Sequence, residues 1–548
     1  MNQAVSPTRL FFGLILPLSA AVMLGNLGGW DLWNPDEPRY AQVAREMLAT
    51  GQYVVPHLNA EPYPDKPPLF FWLVALCSRF FGDVTAYAAR LPAAMAALGV
   101  VTLTFFLGMR IADPLTALLA TVILVTSEQF FTVSISAHLD PLLTLLTTAS
   151  IMLLQSGYTR LPAGTPFFLA AYACMGLALL TKGPVGLLVP LISFLLYLVL
   201  TKEWRFIRHL HIGKGLVLAA GMLSLWLVPA CLMGGDAYTQ NILFKQTFGR
   251  TIESYSHQNP FYYYLIEFPV DFFPWSVFIP SACLYYWKRR ERLRDMCLPL
   301  AWFAGTFLFF SSMSCKRSLY LLPLYPAAAL LMARLWADWL RSPPQRMVTV
   351  PFKVLCWLLA GFGTVGAGLF VFDIAVIRPI QHHAMAFYTL CIVLVCAGLA
   401  GLWLCRFNRS VYFFGHVAAS TAVIFVLIVT IIFPAINSIK SGRFFCERIA
   451  RHLGPGDRLV ATFEPELFNY FLRRWPIPVL QQDKDLVSEL LAPRKTYAIT
   501  RARKNLTLPN ELRDSVTVLE QQQIGHRNYF LLTNKTITPP IPHPTAFP

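Results

Sequence analysis

The sequence predicts an α-helical polytopic membrane protein with a small α/β domain outside the membrane at its C-terminal end. The chain is 56% hydrophobic and only 14% charged, a composition typical of membrane-embedded proteins. Apolar runs close to the roughly 20 residues that cross a bilayer recur over residues 1–433. Short strand-like and helix-like segments replace them in residues 434–548, which predicts a separate soluble domain there.

The apolar runs predict about thirteen membrane-spanning helices. The first run is not followed by a small-residue cleavage site, so we interpret it as an uncleaved span rather than a removed signal peptide. The predicted spans are 10–28, 84–108, 113–130, 138–156, 166–182, 184–201, 214–233, 269–287, 297–313, 319–340, 351–372, 385–405 and 411–433.

The basic residues predict the orientation of these spans. They concentrate in the connections 201–214, 288–294, 334–353 and 406–409, which all lie on one side of the membrane if the N-terminus is cytoplasmic. Because short basic loops stay in the cytosol, the C-terminal domain is expected on the non-cytoplasmic side of the membrane. The net charge of +16 is thus explained by topology, and no nucleic-acid partner is expected.

The loop 29–83 after the first span is the most polar part of the predicted membrane domain. Asn34 and Pro35 suit a helix start, and Asp36 and Glu37 would follow where the helix dipole favours anions. This helix is expected to end at Gly51 and to lie along the membrane surface through its apolar face. Residues 67–81 are apolar but too short to span, which predicts a second interfacial helix.

Charged side chains from distant loops are predicted to meet at the non-cytoplasmic surface of the membrane. Ionisable groups at the ends of spans are costly unless they are paired or lie in a water-filled cavity. Carboxylates suit proton transfer and fixed cations suit phosphate binding. Any one of these residues could instead have a structural role, with its side chain reaching from the end of a span into water. Asp36 could be only an acidic residue that the dipole favours in the first turn of a helix. The residues are Asp36, Glu37, Asp65, Lys66, Asp140, Lys182, Glu253, His257, Glu267, Asp271, Lys316 and Arg317, and Arg39 follows closely behind Glu37.

Two of these groups suggest a phosphate site. Lys182-Gly183-Pro184 forms a turn between two spans, where a lysine is expensive unless it meets an anion. Lys316 and Arg317 stand close to Tyr320 in another turn at the same surface. A divalent cation is a candidate cofactor, with Asp65 and His257 as its ligands. The eleven cysteines are scattered and predict no disulfide framework.

The C-terminal residues predict a small α/β domain. Strands are expected at 458–462, 496–499 and 529–532, and helices at 464–474 and 484–491. The Pro-rich end of the chain is expected to be disordered.

The first loop resembles a known family. Trp33-x-Pro35-Asp36-Glu37-x-Arg39-Tyr40-Ala41, Arg45-Glu46-Met47-Leu48, Val55-Pro56-His57-Leu58 and Asp65-Lys66-Pro67 are similar to motifs of the lipid A aminoarabinose transferases, polytopic glycosyltransferases of the C-type fold that are related to the protein mannosyltransferases. Weaker matches occur at Leu139-Asp140-Pro141, Thr181-Lys182-Gly183, Phe261-Tyr262-Tyr263-Tyr264 with Pro274-Trp275, and Lys316-x-x-x-Tyr320. The C-terminal domain carries no matching motif.

The resemblance implies a role for each candidate residue. Asp36 and Asp140, with Glu37 beside them, would face the sugar and the acceptor. The donor phosphate would be held by Arg39, Tyr40, Lys66, Lys182 and Tyr320. The substrate cavity would also include Tyr63, Lys316 and Arg317, and Asp65 and His257 would lie near a bound metal. Asp65 replaces the commoner Glu, and Cys315-Lys316-Arg317-Ser318 replaces the usual turn, so the sugar and the acceptor stay open.

The expected function is sugar transfer in the bacterial inner membrane. Because nucleotide sugars are absent outside the cytosol, the donor is expected to be a polyprenyl phosphate. The resemblance implies 4-amino-4-deoxy-L-arabinose as the sugar and lipid A phosphate as the acceptor, among surrounding membrane lipids. One alternative is a protein or glycan mannosyltransferase of the same fold. Another is a sugar or lipid transporter or flippase, whose charged groups should lie near the bilayer midplane.

Overall fold

The computed structural model describes residues 6–243, 259–341, 346–371, 381, 383–454, 456–502, 509–512 and 515–534. The chain divides into two compact units. The helical unit comprises Met1–Trp30, Val43–His57 and Pro62–Ala435. The second unit comprises Asp31–Gln42, Leu58–Glu61 and Ile436–Pro548. Part of the first loop therefore folds with the C-terminal region.

The described part of the chain contains eight helices that are long and apolar enough to cross a bilayer. The number rises to nine if the helices Pro114–Val125 and Glu128–Ser134, which are bent by 65° relative to each other, are counted as one broken span. Each of the eight overlaps a predicted span, so the prediction of a helical multi-pass membrane protein is confirmed. The eight are Pro7–Leu24, Ala86–Ile111, Thr165–Lys182, Ile212–Leu243, Ser318–Leu340, Arg346–Val371, Ala384–Phe407 and Ser410–His452.

The remaining predicted spans correspond to shorter or broken helices. Predicted spans 184–201 and 297–313 match the apolar helices Val185–Leu200 and Cys297–Ser312. Asp140–Tyr158 occupies the place of 138–156. The span predicted at 269–287 is instead divided into Tyr263–Asp271, the 3₁₀ turn Trp275–Phe278 and Ile279–Lys288. The count of about thirteen crossings therefore stays a prediction.

The helices of the first loop lie close to their predicted positions. One spans Asp36–Thr50 and starts one residue later than predicted. The Glu37 carboxylate accepts a hydrogen bond from the Trp33 amide at 2.9 Å, which satisfies a donor just before the helix. Gly51 follows the helix in the left-handed region at φ +73°, as a terminating glycine should. The apolar helix Leu69–Phe81 is also confirmed.

A buried arginine that sequence reasoning passed over lies in the helix Ala86–Ile111. Arg90 is fully buried, and its guanidinium donates to the carbonyls of Leu27 at 2.7 Å and Trp30 at 2.9 Å. The guanidinium also lies 4.2 Å from the Trp30 ring centroid. These contacts satisfy backbone carbonyls beyond the first span and compensate the buried charge.

The second unit is built on a four-stranded mixed sheet. Its strand order is Arg458–Ala461, Thr496–Ala502, Arg527–Thr533, Thr517–Ile524. The first pair is parallel and the other two are antiparallel. The three predicted strands are confirmed, and Thr517–Ile524 is an additional strand. The Pro-rich tail lies outside the described residues.

Helices cover both faces of this sheet. Arg443–His452 and Glu466–Leu472 pack on one face through Phe445, Ile449 and Phe468, which are buried against sheet residues. Asp483–Leu491 packs on the other face through Leu486 and Leu490. The two helices predicted in this region are therefore present within a residue or two of their predicted bounds.

Hydrogen bonds tie the first-loop segment 31–42 to the C-terminal region within the second unit. The Asn437 side chain accepts from the Asp31 amide at 3.0 Å and from the Trp33 indole at 3.0 Å. Asn437 and Ser441 both donate to the Asp31 carboxylate, at 2.9 and 2.8 Å. The predicted boundary between residues 433 and 434 stays a prediction, and the second unit additionally contains Asp31–Gln42.

Candidate functional site

The helical unit contains a cavity of about 240 Å³ whose lining mixes charged and apolar groups. Its polar side chains are Asp65, Lys66, Lys182, Cys315 and Tyr320. The cavity thus brings together four of the predicted site residues, which lie in three separate segments of the chain. Apolar residues complete the lining: Pro64, Pro67, Pro184, Val185, Leu188, Ile242, Phe309, Phe310 and Met313.

Lys182 reaches this cavity because the helix Thr165–Lys182 ends there. Gly183 adopts φ +72°, a left-handed conformation that a side chain would disfavour. The Gly183 amide donates to the Leu179 carbonyl at 2.9 Å, and Pro184 then prevents continuation of the helix. A cation in the last helical turn is favoured by the helix dipole. The local sequence therefore fixes the ammonium group at a helix end.

Asp140 compensates the charge of Lys182. It is the first residue of the helix Asp140–Tyr158 and is only 2% exposed. The Lys182 ammonium donates to the Asp140 carboxylate and lies 4.1 Å from the centroid of the Tyr320 ring. A buried charge of either sign is tolerated only when paired. The structure thus joins three predicted site residues in one buried contact.

Lys66 and Asp65 enter the cavity from the first loop. The Tyr63 amide donates to the Pro56 carbonyl at 2.7 Å, which holds the loop. The Tyr63 ring packs edge-on against Phe71, with centroids 6.2 Å apart. Tyr63 therefore positions this loop, while Lys66 and Asp65, both half-buried, line the cavity. Two lysines, Lys66 and Lys182, therefore line the same cavity.

Lys316 makes a different kind of contact. It is 3% exposed and donates to the carbonyls of Asn259, at 3.0 Å, and Met313. Burial lowers the pKa of Lys316 below its ordinary value. These contacts favour a structural role for Lys316 in the turn that carries Cys315.

Arg317 shares this turn. Its carbonyl accepts from the Tyr264 hydroxyl at 3.2 Å and from the Tyr320 amide at 3.0 Å. The turn is thereby fixed in front of the 3₁₀ segment Ser318–Leu324, which holds the Tyr320 ring. Neither Lys316 nor Arg317 is among the residues that line the cavity, so their assignment to the substrate cavity stays a prediction.

Four predicted site residues of the first loop belong to the second unit. Asp36 and Glu37 are each 5% exposed and Tyr40 is 4% exposed. The Arg39 guanidinium donates twice to Glu466, at 3.0 and 2.7 Å, and lies 3.9 Å from the Asp36 carboxylate. Glu466 begins the helix Glu466–Leu472. The C-terminal region therefore contributes a carboxylate that positions Arg39.

Sequence reasoning missed Glu466. Its only local signal is an acidic residue in the first turn of a predicted helix, which the helix dipole explains by itself. A second carboxylate, Glu464, lies close by, and burial and the charge of Glu466 raise its pKa above the ordinary value.

The predicted metal site is only partly described. Asp65 lines the cavity, whereas His257 lies outside the described residues. Within the described ranges, no three His, Cys, Asp or Glu side chains are grouped so that they could hold a metal ion. The divalent cation stays a prediction, and we assign no chemical step to it.

Comparison with known proteins identifies the family. Residues 9–241 match the family PMT, described as dolichyl-phosphate-mannose-protein mannosyltransferase. The chain is 30% identical to the undecaprenyl phosphate-alpha-4-amino-4-deoxy-L-arabinose arabinosyl transferase of Pectobacterium atrosepticum, over 68% of this chain and 67% of the relative. The chain belongs to this arabinosyl transferase family. The resemblance seen in the first loop is thereby confirmed.

Two further comparisons define the extent of the similarity. The arabinosyl transferase of Edwardsiella ictaluri is 33% identical over 56% of each chain, so the alignment spans little more than half of that relative. The crystal structure of ArnT from Cupriavidus metallidurans bound to undecaprenyl phosphate aligns with a TM-score of 0.79 and 20% identity, and covers 96% of this chain and 98% of that one. The arabinosyl transferase fold therefore extends over nearly the whole chain.

We predict that Lys182 and Asp140 are coupled in stability. Lys182→Met leaves a buried carboxylate without its cation and should cost about 3–5 kcal/mol. Adding Asp140→Asn removes that carboxylate, so the double variant should be less destabilised than the sum of the two single variants. The measurement is a double-mutant cycle of unfolding free energies in detergent. Lys202→Met, at an exposed position, is the control. Strictly additive effects would contradict a compensating pair.

Proposed function

We propose that this chain is a membrane glycosyltransferase that takes a sugar from a polyprenyl phosphate donor. The observation that carries the proposal is the cavity in which Lys66 and Lys182 share a lining with Leu188, Phe309 and other apolar groups. A lipid phosphate needs cations for its oxygens and apolar surface for the hydrocarbon beside them. A water-soluble nucleotide sugar has no hydrocarbon chain that would contact the apolar part of the cavity lining.

The chemistry follows from where charge develops. As the bond between sugar and phosphate breaks, negative charge grows on the leaving phosphate. Fixed ammonium groups stabilise that charge most in the transition state, which is the condition for catalysis. Lys66 and Lys182 are therefore assigned to the departing phosphate, with the Tyr320 ring holding Lys182 in place.

For the sugar and acceptor, we propose 4-amino-4-deoxy-L-arabinose and a lipid A phosphate at the periplasmic face of the bacterial inner membrane. The proposal is supported by the names of the relatives, which specify an undecaprenyl phosphate-linked aminoarabinose. Carboxylates such as Asp36 suit a positively charged sugar amine.

A second candidate is transfer of mannose to a protein or glycan. It is favoured by the match of residues 9–241 to a mannosyltransferase family. The two candidates are separated by incubating the purified protein with either polyprenyl-phosphate aminoarabinose or polyprenyl-phosphate mannose. Each donor is tested once with lipid A and once with a membrane-protein fraction as the acceptor. A product formed only from the mannose donor would overturn the aminoarabinose proposal. The absence of product from both donors would overturn the proposal of sugar transfer itself.

The transporter hypothesis is less well supported. Asp140 stands at the first residue of its helix and Lys182 at the last residue of its own. The charged groups of the cavity therefore come from helix ends and loops rather than from the middle of broken spans, where transporter sites are expected.

We predict that Lys66→Ala slows sugar transfer by roughly one to two orders of magnitude, because a charge-assisted phosphate contact contributes about 1.5–3 kcal/mol. The loss should be clearest at limiting donor. Transfer rates are measured against Lys202→Ala, which removes an exposed lysine outside the cavity. Normal transfer by folded Lys66→Ala would remove Lys66 from the donor site.

For Asp36→Asn the two possible roles give different kinetics. If Asp36 is the base for an acceptor hydroxyl, kcat should fall roughly 10²- to 10⁴-fold and the acidic limb of the pH profile should disappear. If the acceptor is a phosphate, it is already ionised near neutral pH. Loss of Asp36 should then mainly raise the donor KM.

The control for this variant is Glu61→Gln, an exposed carboxylate of the same unit. If folded Asp36→Asn has the wild-type rate and the wild-type KM, Asp36 has no role in transfer and serves only as an anion in the first turn of its helix.

We propose that the chain crosses the membrane about thirteen times, with a cytoplasmic N-terminus and a periplasmic C-terminus. The eight long helices, the bent pair and the helices Asp140–Tyr158, Val185–Leu200 and Cys297–Ser312 would account for twelve of these crossings, and the divided segment Tyr263–Lys288 would be the thirteenth. A C-terminal fusion to a phosphatase that is active only in the periplasm should be active, and a fusion to GFP that fluoresces only in the cytosol should be dark. The reverse pattern would show that the topology is inverted, and it would remove the argument for a lipid-linked donor.

A further inference from the structure

A second concavity in the helical unit is distinct from the charged cavity. It is an apolar groove of about 470 Å³, within the range of roughly 300–1,000 Å³ common for ligand sites. The helices Tyr263–Asp271, Ile279–Lys288, Cys297–Ser312 and Tyr325–Leu340 form its walls. No residue that lines the groove also lines the charged cavity.

The chemistry of the walls selects a hydrocarbon occupant. Phe303 packs edge-on against Phe268 at 5.3 Å and stacks on Phe307 at 5.8 Å between ring centroids. Two tyrosine hydroxyls at the groove are used elsewhere, because Tyr264 donates to the Arg317 carbonyl and Tyr286 to the Leu331 carbonyl. A polar ligand would therefore find few partners along these walls.

The groove ends beside an unusually basic connection. Leu293 lines the groove and belongs to the short helix Arg290–Asp295. Two of the neighbouring arginines are neutralised within the protein, since Arg289 lies 3.7 Å and Arg292 3.2 Å from the Asp338 carboxylate.

Two arginines of this helix are not neutralised in that way. Arg290 and Arg294 are both exposed, and neither forms an ion pair with another described residue. The connection 288–294 is one that the charge bias predicts to be cytosolic, so these two cations would face the headgroups of that leaflet.

We propose that the groove binds an anionic phospholipid, with an acyl chain along the aromatic wall and the phosphate at Arg290 and Arg294. Apolar contact alone would not select a ligand, because surrounding lipid tails are as apolar as the groove. Basic pockets between helices on the cytoplasmic side are known to bind anionic headgroups. The polyprenyl donor is a poorer fit, since its phosphate is assigned to the separate cavity with Lys66 and Lys182.

The test is lipid retention by the full-length protein. The purified chain is exchanged into mixed micelles with equal amounts of phosphatidylglycerol and phosphatidylcholine of the same acyl chains, and native mass spectrometry counts the lipids that stay bound. We expect preferential retention of phosphatidylglycerol, and a roughly fivefold fall for each arginine removed in R290Q/R294Q. The matched control K202Q/R205Q removes two exposed cations from another basic connection and should retain the wild-type preference.

A second variant tests the groove itself. Cys283 is an exposed lining residue, so Cys283→Trp should narrow the groove and reduce phosphatidylglycerol retention without unfolding the protein, which its elution profile and Tm verify. Equal retention of both lipids would overturn the proposal, as would an equal loss in K202Q/R205Q or full retention in Cys283→Trp. Displacement of phosphatidylglycerol by polyprenyl phosphate would instead assign the groove to the donor.

Discussion

The structure of the helical unit depends on compensation of charge where water is scarce. Lys182 is held between the Asp140 carboxylate and the Tyr320 ring, and an unpaired ammonium there would carry a large desolvation cost. This requirement fixes where two helices meet, because one ends at Lys182 and the other begins at Asp140. Arg90 obeys the same rule with backbone carbonyls as its partners.

Features encoded by neighbouring residues could be predicted from the sequence. Apolar runs marked the eight long helices, since hydrophobic length is a property of consecutive residues. Gly51 and Gly183 marked chain turns because the left-handed backbone of each favours glycine. The helix Leu69–Phe81 followed from the apolar run 67–81, which is too short to span a bilayer.

Pairings between distant residues could not be predicted in this way. Asp140 and Lys182 are 42 residues apart and Arg39 and Glu466 are 427 apart, and nothing local specifies either partner. The first loop was therefore assigned to the membrane helices, although segment 31–42 folds with the C-terminal region.

Local pattern also failed at one particular element of the second unit. The strand Thr517–Ile524 was missed because it is a largely exposed edge strand with a run of glutamines in place of apolar alternation. The contacts of Lys316 could not be predicted either, because its ammonium donates to the backbone carbonyls of Asn259 and Met313. Only the three-dimensional structure shows whether a lysine ammonium faces a cavity or the backbone carbonyls of its own protein.

The same electrostatics bear on the proposed reaction. Lys66 and Lys182 bring two positive charges to the cavity region, and Asp65 and Asp140 bring two negative ones, so this group is formally neutral. A sugar-linked phosphodiester adds one negative charge, and the released monophosphate carries about −1.5 to −2 near neutral pH. The cations therefore attract the departing phosphate more than the bound donor, which is the differential stabilisation that catalysis requires. In the proposed reaction Asp140 would compete with the product for Lys182, and this competition would limit how tightly the spent lipid phosphate is held.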